Sequence, residues 1–483
     1  MDEKNTLKVL FVASEAFPFA KVGGLADIAT SLSKALRRLD VDIRLLIPLY
    51  GHMRDQGPDV RRIGEGISVP MGPDQELAHL LETRVDGVPI YMIWDDKYFS
   101  TRKKVYGFND DPQRFAFFSR AVISALPVLD WKPDVIHAND WPAAPMVAWL
   151  NLYGRQDPFY RDIAVLYTIH KLSYQGLCGR LILTFAQMDK LAHLPIEPPG
   201  QVNWMAQGIA NADLINTVSP TYAQEILTPE AGMGMDSLLK ERQDRFFGIL
   251  SGIDREFWDP EHDNALTQPF DLDSLSMRRV NKMALQREIK LETHADVPVL
   301  GMISRLDRTK GLDILLPVLD RLLQERALQF VLLGEGSAEY EAQFRDLQAR
   351  FPDQVRTFIK FDERLARRIY AGADLFVTPS YLESSGLTHM IAMRYGVIPI
   401  VRATGALRDT VVDVDADPKH GTGFVFQPYT TDDLEATLRR ALAAYRDGSR
   451  WRGIQERAMQ MDFSWDSSAR AYIELYQRAL ALH

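Results

Sequence analysis

The sequence predicts an α/β protein of two doubly wound domains, and three observations predict it. The chain has 483 residues, too many for one ordinary core and enough for two domains of roughly 200 residues or more. Short apolar runs alternate with segments of helical periodicity, which is the pattern of parallel βαβ units. That pattern opens twice, at Lys8 and again after Gly252.

Taken in order, Val9–Ala13 reads as a buried strand, being far too short for a signal-peptide core or a membrane span. Leu25, Ile28, Leu32, Leu36 and Leu39 then recur at helical spacing, and Ile43–Ile47 reads as the next strand. In the second half Val299–Ile303 is a strand, Leu312–Leu323 a helix, and Phe330–Leu333, Val355–Phe361 and Leu375–Thr378 are strands. Ser251–Asp259, with Gly252 among polar residues, is the linker candidate. The predicted division is 1–250, 251–460 and a terminal helical segment 461–483 whose helix runs from Ser467 to Leu482.

Composition narrows the function. With 46% hydrophobic and 25% charged residues the chain is an ordinary globular protein. A net charge of -9 supplies no positive field for a phosphate backbone, which argues against nucleic acid as a partner. The single cysteine, Cys178, excludes an internal disulfide and a multi-thiolate zinc site, and fits a reducing, cytoplasmic setting. No membrane partner is expected.

Three loops follow strands and precede helices, where backbone N–H groups and the helix dipole favour anions. The first is Ala20-Lys21-Val22-Gly23-Gly24-Leu25. It is neither a Walker A loop nor a G-x-G-x-x-G, and a tight glycine turn with a solvated lysine would read the same. In the second, Ser304 to Gly311, Arg305 and Lys310 can clamp a diphosphate, unless they merely form a solvated basic turn. The third, Tyr381 to Thr388, presents the amides of Gly386, Leu387 and Thr388; Glu383 there is equally readable as a helix-start carboxylate. His137 and His170 each end an apolar strand, the place where open α/β sheets gather ligands, although a strand-end histidine is more often a satisfied core residue. Asp413, Asp415 and Asp417 form a D-x-D-x-D run that we read as a polar turn, not a metal site.

These motifs resemble those of the bacterial glycogen synthase and plant starch synthase family, glycosyltransferase family 5. Lys21-Val22-Gly23-Gly24-Leu25-Ala26-Asp27, Asp140-Trp141, Tyr174-Gln175-Gly176, Thr217-Val218-Ser219-Pro220, Ser304-Arg305-Leu306, Lys310-Gly311-Leu312-Asp313, Gly386-Leu387-Thr388 and Ala392-Met393-Arg394-Tyr395-Gly396 stand in the family's order over nearly the whole chain. The resemblance implies a GT-B fold, with two Rossmann-like domains facing each other across a cleft, and a final helix that returns to the first domain. It implies a retaining transfer of glucose from ADP-glucose to an α-1,4-glucan such as glycogen, with no cofactor and no metal. By the same resemblance Asp140 and His170 approach the glucosyl unit, and Arg305 and Lys310 take the diphosphate. Glu383 lies against the sugar, Lys21, Gly23 and Gly24 approach phosphates and glucose, Asp27 supports that loop, and Phe361 stacks on adenine. Departures border the sugar and acceptor: Asn139 and Pro142 replace histidines, Lys171 an asparagine, Ser384-Ser385 a proline-cysteine, His389 a glutamine, Ala206 a lysine and Ser251 an asparagine. They leave two alternatives, a retaining glucosyltransferase with a small acceptor and a silent glucan-binding paralogue.

Overall fold

A computed structural model describes residues 6–53 and 60–483. The chain divides into two compact units, Met1–Gly252 with Trp465–His483, and Ile253–Ser464. The division falls inside Ser251–Asp259, but that segment is no loose linker. Ile253 and Trp258 are buried in the second core, and Ile253 N–H donates to the Phe463 carbonyl at 2.8 Å.

The first unit contains β1 (Lys8–Val12), β2 (Asp42–Pro48), β3 (Arg61–Met71), β4 (Asp74–Val85), β5 (Val88–Trp94), β6 (Val135–Asn139), β7 (Ala164–Ile169), β8 (Leu177–Gly179), β9 (Gln201–Asn203), β10 (Leu214–Thr217) and β11 (Phe246–Gly248). Nine of these form one sheet in the order β11-β10-β7-β6-β1-β2-β5-β4-β3, with β8 and β9 as a separate antiparallel ribbon. Pairing is parallel from β11 through β5, and antiparallel for β5-β4 and β4-β3. The parallel strands are continuous apolar runs because helices cover both faces. One is Gly24–Arg38, which buries Leu25, Ile28, Leu32 and Leu36, roughly 1.5–3 kcal/mol of transfer free energy for each large side chain. From β1 the strand order runs one way to β2 and the other way to β6. That reversal opens a crevice at the carboxyl ends of β1 and β6.

The helix Trp465–Leu480 closes this unit by burying Trp465, Ala469, Tyr472, Tyr476 and Ala479, an i, i+4, i+7 stripe. Its two tyrosines end a buried hydrogen-bond chain. Asn216 Nδ2 donates to the Tyr472 hydroxyl at 3.1 Å, and Thr168 donates to Asn216 Oδ1. The Thr168 hydroxyl also meets His137 Nε2 (2.6 Å), and His137 Nδ1 meets the Tyr476 hydroxyl (2.8 Å), so both ring nitrogens have a partner. His137 is thus a satisfied core histidine, held neutral by burial.

The second unit contains β12 (Val299–Ile303), β13 (Gln329–Leu333), β14 (Val355–Phe358), β15 (Leu375–Thr378), β16 (Ile398–Arg402) and β17 (Phe424–Phe426). All pairs are parallel, in the order β14-β13-β12-β15-β16-β17. The strand predicted over Val355–Phe361 stops at Phe358, because Asp362 already caps the next helix by accepting from Leu365 N–H at 2.9 Å. The order reverses again, between β12 and β15. No helix among the described residues is long and apolar enough to cross a membrane.

Tyr476→Phe leaves His137 Nδ1 buried without its hydrogen-bond partner and is expected to lower stability by about 1–3 kcal/mol. Scanning calorimetry checks this, and an unchanged unfolding profile would show that the chain of hydrogen bonds contributes nothing.

Candidate active site

At the carboxyl end of β1 the chain enters the loop that carries Lys21, Gly23 and Gly24. A residue that the sequence reading missed organises it. Glu15 is 4% exposed, and its Oε2 accepts the N–H groups of Val22 (2.6 Å) and Gly23 (3.0 Å) while Oε1 accepts from Tyr106 (2.7 Å). Burial pushes the Glu15 carboxyl up against the opposing pull of these donors. The expectation that these loop amides await an external anion is therefore corrected: the protein's own carboxylate occupies those of Val22 and Gly23. Lys21 Nζ donates to Asp27 Oδ1 at 2.7 Å, tying the loop to the first turn of the helix Gly24–Arg38.

Across the strand-order reversal, β6 ends in Asn139 and the helix Asp140–Leu152 begins. Asp140 has φ 55°, the left-handed region that costs a non-glycine residue of order 1–3 kcal/mol. The turn aims its carboxylate at the end of β7, where Oδ1 accepts from His170 N–H at 2.8 Å. Burial raises the Asp140 carboxyl to about 7, with the amides of His170 and Lys171 pulling it down. His170 is 7% exposed; burial depresses its imidazole to about 3. Its Nε2 lies 2.8 Å from Asn139 Oδ1, and its Nδ1 is buried with no hydrogen-bond partner among the described residues.

In the second unit the loops after β12 and β15 meet. Tyr381 N–H donates to the Thr309 carbonyl at 2.8 Å. Gly311, at φ 69°, approaches so closely that a Cβ would stand 2.0 Å from the Pro379 carbonyl oxygen. This contact brings Lys310 Nζ to 2.7 Å from Glu383 Oε2, which also accepts from Ser380 Oγ at 2.8 Å. Burial pushes Glu383 up, but Lys310 and Ser380 outweigh it and hold the carboxyl below its usual value. Arg305 is exposed, with no ion-pair or hydrogen-bond partner for its guanidinium among the described residues. Gly386, at φ 54°, starts the helix Leu387–Arg394, so the amides of Leu387 and Thr388 lie in a first turn that has no internal acceptor for them.

The structure thus groups Lys21, Gly23, Gly24 and Asp27, and beside them Asp140 and His170, at the carboxyl strand ends of the first unit. It groups Arg305, Lys310, Glu383, Gly386, Leu387 and Thr388 at those of the second. Phe361 lies in the loop after β14, not in the strand, and is 68% exposed. Asp413 and Asp415 pair with Arg440, and Asp417 hydrogen-bonds to the His420 ring, so each D-x-D-x-D carboxylate has a partner within the protein. The signal for Glu15 was its place just past a buried strand; its amide partners, seven and eight residues on, follow no regular period.

Comparison with known proteins matches residues 8–241 to the starch synthase catalytic domain family and residues 286–456 to glycosyl transferases group 1. The chain is 41% identical to the glycogen synthase of Syntrophotalea carbinolica over 99% of its length and 100% of that protein. It is 44% identical to that of Moorella thermoacetica, over 98% and 97% of the two chains. Among solved structures it resembles the catalytic domain of starch synthase IV from Arabidopsis thaliana bound to ADP and acarbose, with TM-score 0.93, 35% identity, and 99% and 100% of the chains covered.

The Asp140 carboxyl titrates higher folded than unfolded, so its contribution to stability is full below the ordinary carboxylate range and is lost as pH rises through about 7. The stability of the wild type relative to Asp140→Asn should fall progressively from about pH 4 to 8. Denaturation at a series of pH values checks this; a constant difference would place the carboxyl at its ordinary value.

Proposed function

The chain belongs to the glycogen and starch synthase family, and on that premise we propose that it transfers glucose from ADP-glucose to the non-reducing end of an α-1,4-glucan with retention of configuration. The observation that carries this reading is the junction of the β12 and β15 loops. There Lys310, paired with Glu383, lies beside the loop that leads into the helix Leu387–Arg394, and the exposed Arg305 stands on the same β12 loop, the donor set that a nucleoside diphosphate needs. ADP in the Arabidopsis structure supports adenine as the base, and acarbose there supports an oligosaccharide acceptor. The exposed ring of Phe361 suits stacking on that base.

In the proposed reaction the C1–oxygen bond to the β-phosphate breaks as a glucan 4-hydroxyl attacks C1 from the same face. The hydroxyl proton passes to the departing phosphate oxygen, so no protein nucleophile is required. Arg305 and Lys310 stabilise the charge that develops on the diphosphate, and the amides of Gly386, Leu387 and Thr388 add fixed dipoles. Lys310 is paired with Glu383 at 2.7 Å, whereas Arg305 is exposed and free to meet the diphosphate. Glu383, Asp140 and His170 position the glucosyl unit as positive charge builds at C1. Lys21, held by Asp27, approaches the donor phosphates and glucose through its side chain and Gly24 through its backbone, while Gly23, its N–H taken by Glu15, lets them come close because it has no side chain. Because two protein cations serve the leaving group, the reading assigns no role to a metal or other cofactor.

The test is nucleoside diphosphate release from ADP-glucose and UDP-glucose, each with and without glycogen. Glycogen-dependent release from ADP-glucose, with glucose entering the polymer, is expected, unchanged by EDTA. Arg305→Ala should lower kcat/KM by about 100-fold or more, the scale of one lost transition-state donor. Release that needs a small sugar would point to a different acceptor, and no release despite glycogen binding would mean a silent glucan-binding protein.

A further inference from the structure

Asn139 is one of the departures from the family pattern, and its surroundings determine something that an isolated histidine cannot reveal. The Asn139 side chain is fully buried at the end of β6. Its Nδ2 lies 3.0 Å from the Val12 carbonyl oxygen and 3.1 Å from the His137 carbonyl oxygen. Carbonyl oxygens only accept, so the amide nitrogen must face them; the flipped amide would set Oδ1 against two other oxygens. The orientation of the carboxamide is therefore fixed by backbone atoms of β6 and of its parallel neighbour β1.

With Nδ2 committed, Oδ1 is the atom 2.8 Å from His170 Nε2. It too can only accept, so Nε2 must carry the proton. Burial keeps the imidazole neutral at ordinary pH, and the second ring nitrogen, Nδ1, then holds a lone pair. That atom is buried without a hydrogen-bond partner among the described residues, an arrangement that is unfavourable unless a donor fills it. The ring's peptide N–H is separately held by Asp140, so both the backbone and the side chain of His170 are set by the segment Asn139-Asp140.

Resting on the reading of His170 as a group at the glucosyl site, we propose that Asn139 is a positioning residue that locks His170 as its Nε2–H tautomer. The imidazole then offers the sugar a single acceptor at Nδ1 and exchanges no proton during transfer. The group it recognises is a hydrogen-bond donor, a sugar hydroxyl, and not a carbonyl or an ether oxygen. A histidine at position 139, able to donate or accept, would not impose this choice; a carboxamide pinned by two carbonyls does.

The test is long-range proton–nitrogen NMR on full-length protein labelled with 15N-histidine, with His170→Gln identifying the signal. In the wild type His170 should show a pyrrole-type Nε2 and a pyridine-type Nδ1, and a mixture or the opposite tautomer overturns the proposal whether or not the protein transfers glucose. Asn139→Leu should release the tautomer and lower kcat by about 10- to 100-fold, the scale on which a misplaced positioning group acts, with ADP affinity unchanged. Asn139→Asp, whose protonated carboxyl can donate to a carbonyl and still accept from Nε2, should restore the tautomer and most of the rate. Retention of the wild-type tautomer and kcat in Asn139→Leu overturns the assignment to Asn139. The locked tautomer in a protein that fails to transfer glucose instead contradicts the reading of the reaction.

Discussion

Both halves of the molecule rest on one constraint: parallel strands need crossovers that cover the sheet faces, so irregular backbone is left at the strand ends. Where the strand order reverses, two successive loops diverge and leave a crevice at the carboxyl ends. The reversals fall between β1 and β6 and between β12 and β15. Every loop that carries proposed chemistry leaves one of those four strands, apart from His170, which follows β7, and Phe361, which follows β14. The polar residues at these ends are held by the ladder beneath them, which is why a one-residue change such as an amide for an imidazole at 139 has geometric consequences.

A second regularity concerns charge. The ionised or proton-sharing groups at the strand ends are met by partners from the protein itself. Glu15 takes two loop amides and a tyrosine, Lys21 meets Asp27, Lys310 meets Glu383, and Asp140 takes the amide of His170. Such pairing fixes dipoles in advance and removes the reorganisation that free side chains would undergo as charge develops. It also grades the cations of the proposed site: Lys21 and Lys310 are paired with carboxylates, and Arg305 is exposed without an ion-pair partner among the described residues.

Much of the fold was legible because buried parallel strands announce themselves as uninterrupted apolar runs; Val299–Ile303 and Leu375–Thr378 were placed to the residue. β3 and β4 were not foreseen, since antiparallel strands with a solvated face mix polar with apolar residues, and Gly64 and Gly66 dilute the pattern further. The strand expected over Val355–Phe361 ends at Phe358, although Ile359 and Phe361 prolong the apolar alternation to the point where Asp362 turns the chain into a helix. At the site, the motif residues were legible, but their internal partners were not. Glu15 lies seven or eight residues from the amides it holds, and Asn139 was visible only as a missing histidine, because its role depends on carbonyls that the sheet brings together.

The central claim is that glucose is transferred with its anomeric configuration kept. Proton NMR of the product formed from ADP-α-glucose and a maltooligosaccharide tests it most directly. The account predicts a new non-reducing glucosyl residue in α-1,4 linkage, growing in step with ADP. A β-linked residue, or glucose released to water with no extension of the oligosaccharide, would contradict it.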